Sequence, residues 1–73
     1  MPFVEVNITV GATKEQKAHL VEGITDLLVK TLNKNPSSTQ VVIREFETEN
    51  WGISGQSVKN LRKEGKTANI SKN

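Results

Sequence analysis

One long amphipathic segment lies between two short apolar segments, and this order limits what the chain can fold into. Residues 3–10 alternate apolar and polar side chains, which predicts a strand with one buried face. Residues 14–33 carry apolar side chains at three- and four-residue steps, which predicts a helix with one apolar stripe. A capping box of Thr13 and Gln16 is expected to begin this helix. Residues 40–46 predict a second strand.

A strand, a helix and a strand joined by short connections form a β-α-β unit. Its two strands are expected to be parallel, with a right-handed crossover. Turn-forming residues predict a loop at residues 33–38. Residues 51–55 contain two glycines and predict a tight turn or a short hairpin. The predicted fold class is therefore α+β: a β-α-β subunit with parallel strands and a short C-terminal hairpin.

The second predicted strand is apolar on both of its faces. Val41 and Ile43 point to one side, whereas Val42 and Phe46 point to the other. One helix covers only one face, so we expect the other face to meet a second subunit. The short length of the chain also favours a second subunit. Small domains usually need disulfides, a metal or a partner subunit, and these 73 residues contain no cysteine for disulfides. Gly23 costs the helix about 1 kcal/mol relative to alanine and is interpreted as a point of close packing.

Positive charge is concentrated at the C-terminal end of the chain, although the net charge of the whole chain is only +2. We therefore divide the chain into a domain at residues 1–58 and a basic, flexible tail at residues 59–73. Its basic residues are Lys59, Arg62, Lys63, Lys66 and Lys72. The tail is interpreted as a solvated terminus, and nucleic acid is not expected as a partner. No apolar run is long enough to span a membrane and no signal-peptide pattern precedes the domain, so a cytoplasmic location is expected.

Most familiar catalytic groupings are absent, and the remaining candidate is Pro2. The chain has no cysteine nucleophile, and its single histidine, His19, is predicted to be a surface or boundary residue. Removal of Met1 before a small residue would leave Pro2 with a free secondary amine. Burial disfavours the charged form of an amine and lowers its pKa, and Phe3 and Trp51 are candidates for lining such a pocket. A neutral amine of this kind suits general base catalysis. Position alone leaves open that Pro2 is an ordinary second residue.

Four short motifs follow one another along the chain: Met1-Pro2-Phe3-Val4, Glu15-Gln16-Lys17, Val42-Ile43-Arg44-Glu45 and Asn50-Trp51-Gly52-Ile53-Ser54-Gly55. In their order and spacing these motifs resemble the 4-oxalocrotonate tautomerase family. The resemblance implies a tautomerase-like subunit that assembles through sheet packing into a homohexamer, a trimer of dimers, with no cofactor and no metal. It also implies that the amine of Pro2 is the general base. This base would move a proton between the oxygen and a carbon of an enol or dienol acid to give the keto form.

The sequence departs from that family at two positions. The best-known members carry arginines where this chain has Ala12 and Gln40, and those arginines hold the substrate carboxylate and polarise its carbonyl. Arg44 lies four residues beyond Gln40 on the same strand face, so it is a candidate replacement and equally a candidate for an interface salt bridge. Trp51 stands at the position of the family's aromatic pocket wall. The predicted substrate-binding residues are Gln40, Trp51 and Arg44.

The predicted function is that of a tautomerase acting on a small unsaturated 2-oxo acid, with weak activity because both arginines are missing. Two alternatives stay open. The first is a relative that hydrates or dehalogenates an unsaturated acid, which also requires cations to bind that acid. The second is a non-catalytic hexamer with a binding or structural role, which the loss of both arginines favours.

Overall fold

A computed structural model describes residues 1–65 of the chain. The elements, in chain order, are the strand β1 (Phe3–Thr9), the helix α1 (Lys14–Leu32), the strands β2 (Gln40–Phe46), β3 (Gly52–Ile53) and β4 (Gln56–Ser57), and the helix α2 (Val58–Lys63). They form two compact units, one of Met1–Asn7 with Ala12–Arg44 and one of Ile8–Gly11 with the described residues from Glu45 onward. Lys66 and Lys72 of the predicted tail lie outside the described residues.

Strands β1 and β2 are hydrogen-bonded neighbours in one sheet. At the start of both strands, the backbone N–H of Gln40 donates to the carbonyl of Pro2 over 3.0 Å. At the far ends, the N–H of Val10 donates to the carbonyl of Phe46 over 2.9 Å. The start of β1 is hydrogen-bonded to the start of β2, and the two far ends are also joined. The strands are therefore parallel, and α1 is the crossover between them. The predicted β-α-β fold is confirmed.

Local hydrogen bonds fix both ends of α1. The N–H of Gln16 donates to Thr13 Oγ1 over 3.1 Å, and the N–H of Thr13 donates to Gln16 Oε1 over 2.8 Å. This is the predicted capping box. At the other end Asn33 adopts a left-handed conformation with φ of 54°, and its N–H donates to the carbonyl of Val29. Asparagine tolerates this conformation better than most residues, which explains why the helix ends there.

Helix α1 leaves much of its apolar surface uncovered within the chain. Its exposed apolar residues and their exposed fractions are Leu20 (38%), Val21 (38%), Leu27 (64%) and Leu32 (49%). A methyl group placed on Gly23 would meet no atom of the described chain within 4 Å. The prediction that Gly23 packs closely is therefore wrong within the chain itself.

The second unit is built on the predicted hairpin. Strands β3 and β4 pair antiparallel, with Gly52 opposite Ser57 and Ile53 opposite Gln56. The two turn residues between them, Ser54 and Gly55, have φ of 53° and 82°. Two consecutive left-handed residues make the tight turn whose twist suits a two-residue hairpin.

Helix α2 follows the hairpin directly and was not predicted. The side chain of Ser57 accepts a hydrogen bond from the N–H of Asn60 over 3.1 Å and so begins the helix. Val58, which is 3% exposed, is the one buried hydrophobic residue in the described part of the chain. Helix α2 crosses residue 59, the boundary expected between domain and tail, and that division stays a prediction. Neither helix within residues 1–65 has the length and apolar character required to cross a bilayer.

Candidate active site

Pro2 is held by its carbonyl group and not by its nitrogen. The carbonyl accepts the first ladder bond of the sheet, from the N–H of Gln40. The side chain of Pro2 is half-buried, whereas that of Met1 is 83% exposed. The nitrogen of Pro2 is an amide as long as Met1 is attached, and an amide does not take up a proton. Loss of the exposed Met1 would convert this nitrogen to an amine and leave the anchoring bond intact.

The segment before Gln40 explains how β2 comes to lie against Pro2. A short 3-10 turn at Pro36–Ser38 precedes the strand. The side chain of Asn35 begins this turn, because its Oδ1 accepts from the N–H of Ser37 over 3.0 Å and from the Ser37 hydroxyl over 2.9 Å. The N–H of Thr39 then donates to the carbonyl of Pro36 over 3.1 Å. The backbone of Gln40 is therefore held in place, while its side chain remains exposed.

Arg44 lies on the sheet in contact with a carboxylate. Its Nη1 is 3.0 Å from Glu5 Oε1, and the two side chains are 57% and 36% exposed. This salt bridge lies within the chain and joins β1 to β2, whereas the salt bridge considered from the sequence was an interface contact, which stays a prediction. Four residues of strand separate Arg44 from Gln40 by about 13 Å. Binding of substrate by Arg44 stays a prediction, and it would require the guanidinium to leave or share Glu5.

Trp51 is fixed within the second unit. Its ring meets that of Phe46 edge to face, with ring centroids 5.8 Å apart and an interplanar angle of 77°. Its carbonyl accepts the N–H of Val58 over 2.8 Å. The aromatic contact was missed from the sequence, although two aromatic residues on either side of a short turn are a usable signal. The role of Trp51 as a pocket wall stays a prediction.

Ala12 offers no group that binds an anion. It is half-buried and follows Gly11, whose φ of 131° is in the region that favours glycine. The position is therefore defined by the turn that ends β1, and its side chain is a methyl group. Within residues 1–65 no three histidine, aspartate or glutamate side chains are grouped in a way that could hold a metal ion.

A parallel β-α-β unit with an anchored proline before its first strand, followed by a short hairpin, defines a subunit of the 4-oxalocrotonate tautomerase type. Comparison with known proteins agrees. The family model described as tautomerase enzyme matches residues 2–61, and the chain belongs to the tautomerase family of enzymes. The resemblance inferred from the four motifs is confirmed.

Relatives cover nearly the whole described chain. A probable tautomerase K2 of Dickeya dadantii is 55% identical over 65 residues, which are 88% of this chain and 97% of that protein. A 2-hydroxymuconate tautomerase of Comamonas testosteroni is 36% identical over 61 residues, or 84% of this chain and 97% of that protein. The crystal structure of DmpI from Helicobacter pylori is 45% identical, with a TM-score of 0.78 over 85% of this chain and 97% of the other.

Proposed function

We propose that this protein is a tautomerase that interconverts the enol or dienol and keto forms of a small unsaturated 2-oxo acid. The general base is the amine of Pro2 after Met1 has been removed. The observation that carries this proposal is the anchoring of Pro2 by its carbonyl, 3.0 Å from the N–H of Gln40, next to an exposed Met1. The 36% identity to a 2-hydroxymuconate tautomerase supports the substrate class.

The proposed reaction needs one group that accepts a proton and returns it. The neutral amine of Pro2 takes the proton from the enol hydroxyl, and the resulting ammonium delivers it to the carbon that becomes saturated. The enol O–H bond breaks, a C–H bond forms, and the amine is regenerated. Positioned general acid–base catalysis typically contributes a factor of about 10²–10⁴. The backbone bond to Gln40 holds the ring in place without engaging the nitrogen that must react.

The charge of the site argues for a substrate other than a dicarboxylate. Ala12 has no donor, and the amide of Gln40 can donate hydrogen bonds without carrying a positive charge. A guanidinium that binds a carboxylate with two hydrogen bonds is much stronger than an amide contact. We therefore propose a monocarboxylic or neutral enol as the preferred substrate, with Gln40 in contact with it.

We propose that the protein acts in the cytoplasm as a homohexamer, a trimer of dimers. Support comes from the exposed apolar residues on α1 and from the open face of the sheet, where Phe3 is 57% and Val42 41% exposed. Six chains of 8.1 kDa give a particle of about 48 kDa. Sedimentation equilibrium at micromolar concentration tests this, and a stable monomer would contradict the proposed assembly.

The proton-transfer proposal is tested with two preparations whose masses are verified, one beginning at Pro2 and one retaining Met1. Both are assayed with enolised phenylpyruvate and with a 2-hydroxydienoate acid. The processed protein is expected to be faster by about 10²–10⁴. Because Met1 is 83% exposed, circular dichroism and sedimentation should be the same for both, which controls for folding. Equal turnover by the two preparations would exclude Pro2 as the base, and no turnover by either would favour the non-catalytic alternative.

A further inference from the structure

Asn35 accepts hydrogen bonds from all of the residues that lead from the 3-10 turn into β2. Its side-chain oxygen Oδ1 accepts from the N–H and the hydroxyl of Ser37, over 3.0 and 2.9 Å. Its carbonyl oxygen accepts from the N–H and the hydroxyl of Ser38, each over 3.0 Å, and from the hydroxyl of Thr39 over 3.1 Å. The side chain of a cap residue usually accepts one such bond. Five hydrogen bonds therefore converge on the two oxygens of this one residue.

Hydrogen bonds, and not burial, hold this turn in place. Asn35, Pro36 and Ser37 are all exposed. A 3-10 helix of three residues has poor hydrogen-bond geometry of its own. Pro36 keeps the preceding residue extended, and Asn35 accordingly has φ of −80° and ψ of 133°. The turn therefore depends on the side chain of Asn35 for its start, while Pro36 preserves its direction.

The turn leads without interruption to the anchor of Pro2. The N–H of Thr39 donates to the carbonyl of Pro36 over 3.1 Å, and the next N–H, that of Gln40, donates to the carbonyl of Pro2 over 3.0 Å. Only rotation about the Cα–C bond separates this carbonyl from the ring nitrogen, because the nitrogen is bonded directly to Cα. A shift of the Gln40 N–H is therefore passed on to the nitrogen of Pro2.

We propose that Asn35 is a positioning residue for the proton transfer, and that it acts through the backbone of Gln40 on the amine of Pro2. The inference rests on the proposed function, because it names what aligns the base of that reaction. In this role Asn35 sets the position of the base and does not bind the substrate.

The expected signature is a change in kcat with little change in KM. Misplacement of a reacting group by about 1 Å lowers a rate by about 10². The flexible side chain of Gln40 compensates for a small shift of its own backbone, so substrate binding is largely kept. The ring of Pro2 has no such freedom. A loss of alignment therefore lowers the rate of the chemical step more than it weakens binding.

Asn35→Ala, in a preparation that begins at Pro2, tests the inference with enolised phenylpyruvate as substrate. The variant loses the acceptor of both bonds from Ser37, so kcat should fall by about ten- to hundredfold. KM should change by less than about threefold. Asn35→Asp keeps an oxygen at the same reach, and it should restore kcat to within about twofold of the parent value.

Thr13→Ala is the matched control. Thr13 is also an exposed cap residue, and its Oγ1 accepts the N–H of Gln16 over 3.1 Å. It follows β1, at the opposite end of the sheet from Pro2, so kcat should stay within about twofold of the parent value. An equal drop of kcat in this control, or a failure of Asn35→Asp to restore kcat, would overturn the inference. Unchanged kcat in Asn35→Ala would overturn it while leaving the proposed function intact. A parent protein without turnover would overturn the proposed function and the inference together.

Amide hydrogen exchange tests the same inference without an activity assay. The N–H of Gln40 should exchange about tenfold faster in Asn35→Ala than in the parent, because its position is held less firmly. Ser37→Ala is a milder variant that serves if Asn35→Ala does not fold, since it removes the hydroxyl bond to Oδ1 and leaves the N–H bond. It should lower kcat by about threefold and speed the same exchange by a smaller factor. Exchange at Gln40 that neither variant changes would contradict the proposed role of Asn35.

Discussion

Ala12 and Gln40 stand where the best-known members of the family carry arginine. Introducing arginine at both positions tests directly how the chain recognises its substrate. In the variant Ala12→Arg/Gln40→Arg, one guanidinium begins β2 beside the anchored Pro2, and the other follows β1 at the opposite end of the sheet. The arginine at position 12 therefore reaches a substrate at Pro2 only from a neighbouring subunit. A donor aimed at a developing oxyanion in an enclosed site contributes about 3–4 kcal/mol. The side chain of Gln40 is exposed in the chain, so solvent should reduce this to about half. About 1.5–2 kcal/mol corresponds to a ten- to thirtyfold rise in kcat/KM.

The assay compares a dicarboxylate dienol with a monocarboxylate enol, and the rise should be larger for the dicarboxylate. Glu15→Gln/Glu22→Gln serves as the control, because it changes the net charge by the same amount on the polar face of α1. An equal rise of kcat/KM in the control would mean that the net charge of the protein accelerates the reaction, and not direct contacts of the two arginines with the substrate. A parent protein that already prefers the dicarboxylate, with no gain in the arginine variant, would refute the charge argument.

Substitutions at three further positions test local structure at fixed protein concentration. Ser54 has φ of 53°, so Ser54→Val should lower the free energy of unfolding by about 1–2 kcal/mol in urea titrations, whereas Ser54→Asn should maintain or raise it. Thr13→Ala removes the cap of α1 and should cost about 1 kcal/mol in the same assay. Arg44→Ala should change stability by less than about 1 kcal/mol and leave kcat/KM unchanged, because Glu5 engages an exposed guanidinium. A clear drop in kcat/KM would instead assign Arg44 to substrate binding.

The elements that the sequence predicted are those determined by local pattern. Periods of two and of three to four residues located β1, α1 and β2 within one residue of their ends. The capping box of Thr13 and Gln16 was predictable because both partners lie within one helical turn. Helix α2 was missed because it has only one turn and a half and little apolar periodicity. It depends on the cap from Ser57 and on the burial of Val58, which is a tertiary effect.

The sequence alone identified the candidate residue whose chemistry follows from its position in the chain. It did not identify contacts that depend on the register between two strands. Pro2 was identified from its place in the chain and from what a free amine can do. The contact between Arg44 and Glu5 joins residues 39 apart, and only the alignment of β1 with β2 brings them together. Gly23 was interpreted as packed because glycine is costly in a helix, but the sequence does not say whether the packed neighbour belongs to the same chain.

Among the described residues Val58 is the one buried hydrophobic residue, and this has a consequence for how the cell accumulates the protein. A chain that has just been released leaves nearly all of its described apolar side chains at least partly exposed, and it remains a substrate for proteases until it assembles with further copies. Encounters between copies become more frequent as the rate of synthesis rises, so the fraction that escapes degradation rises as well. Abundance should therefore increase more steeply than expression, with little protein surviving when the gene is transcribed weakly. A small change in promoter strength would then produce a much larger change in the amount of assembled protein.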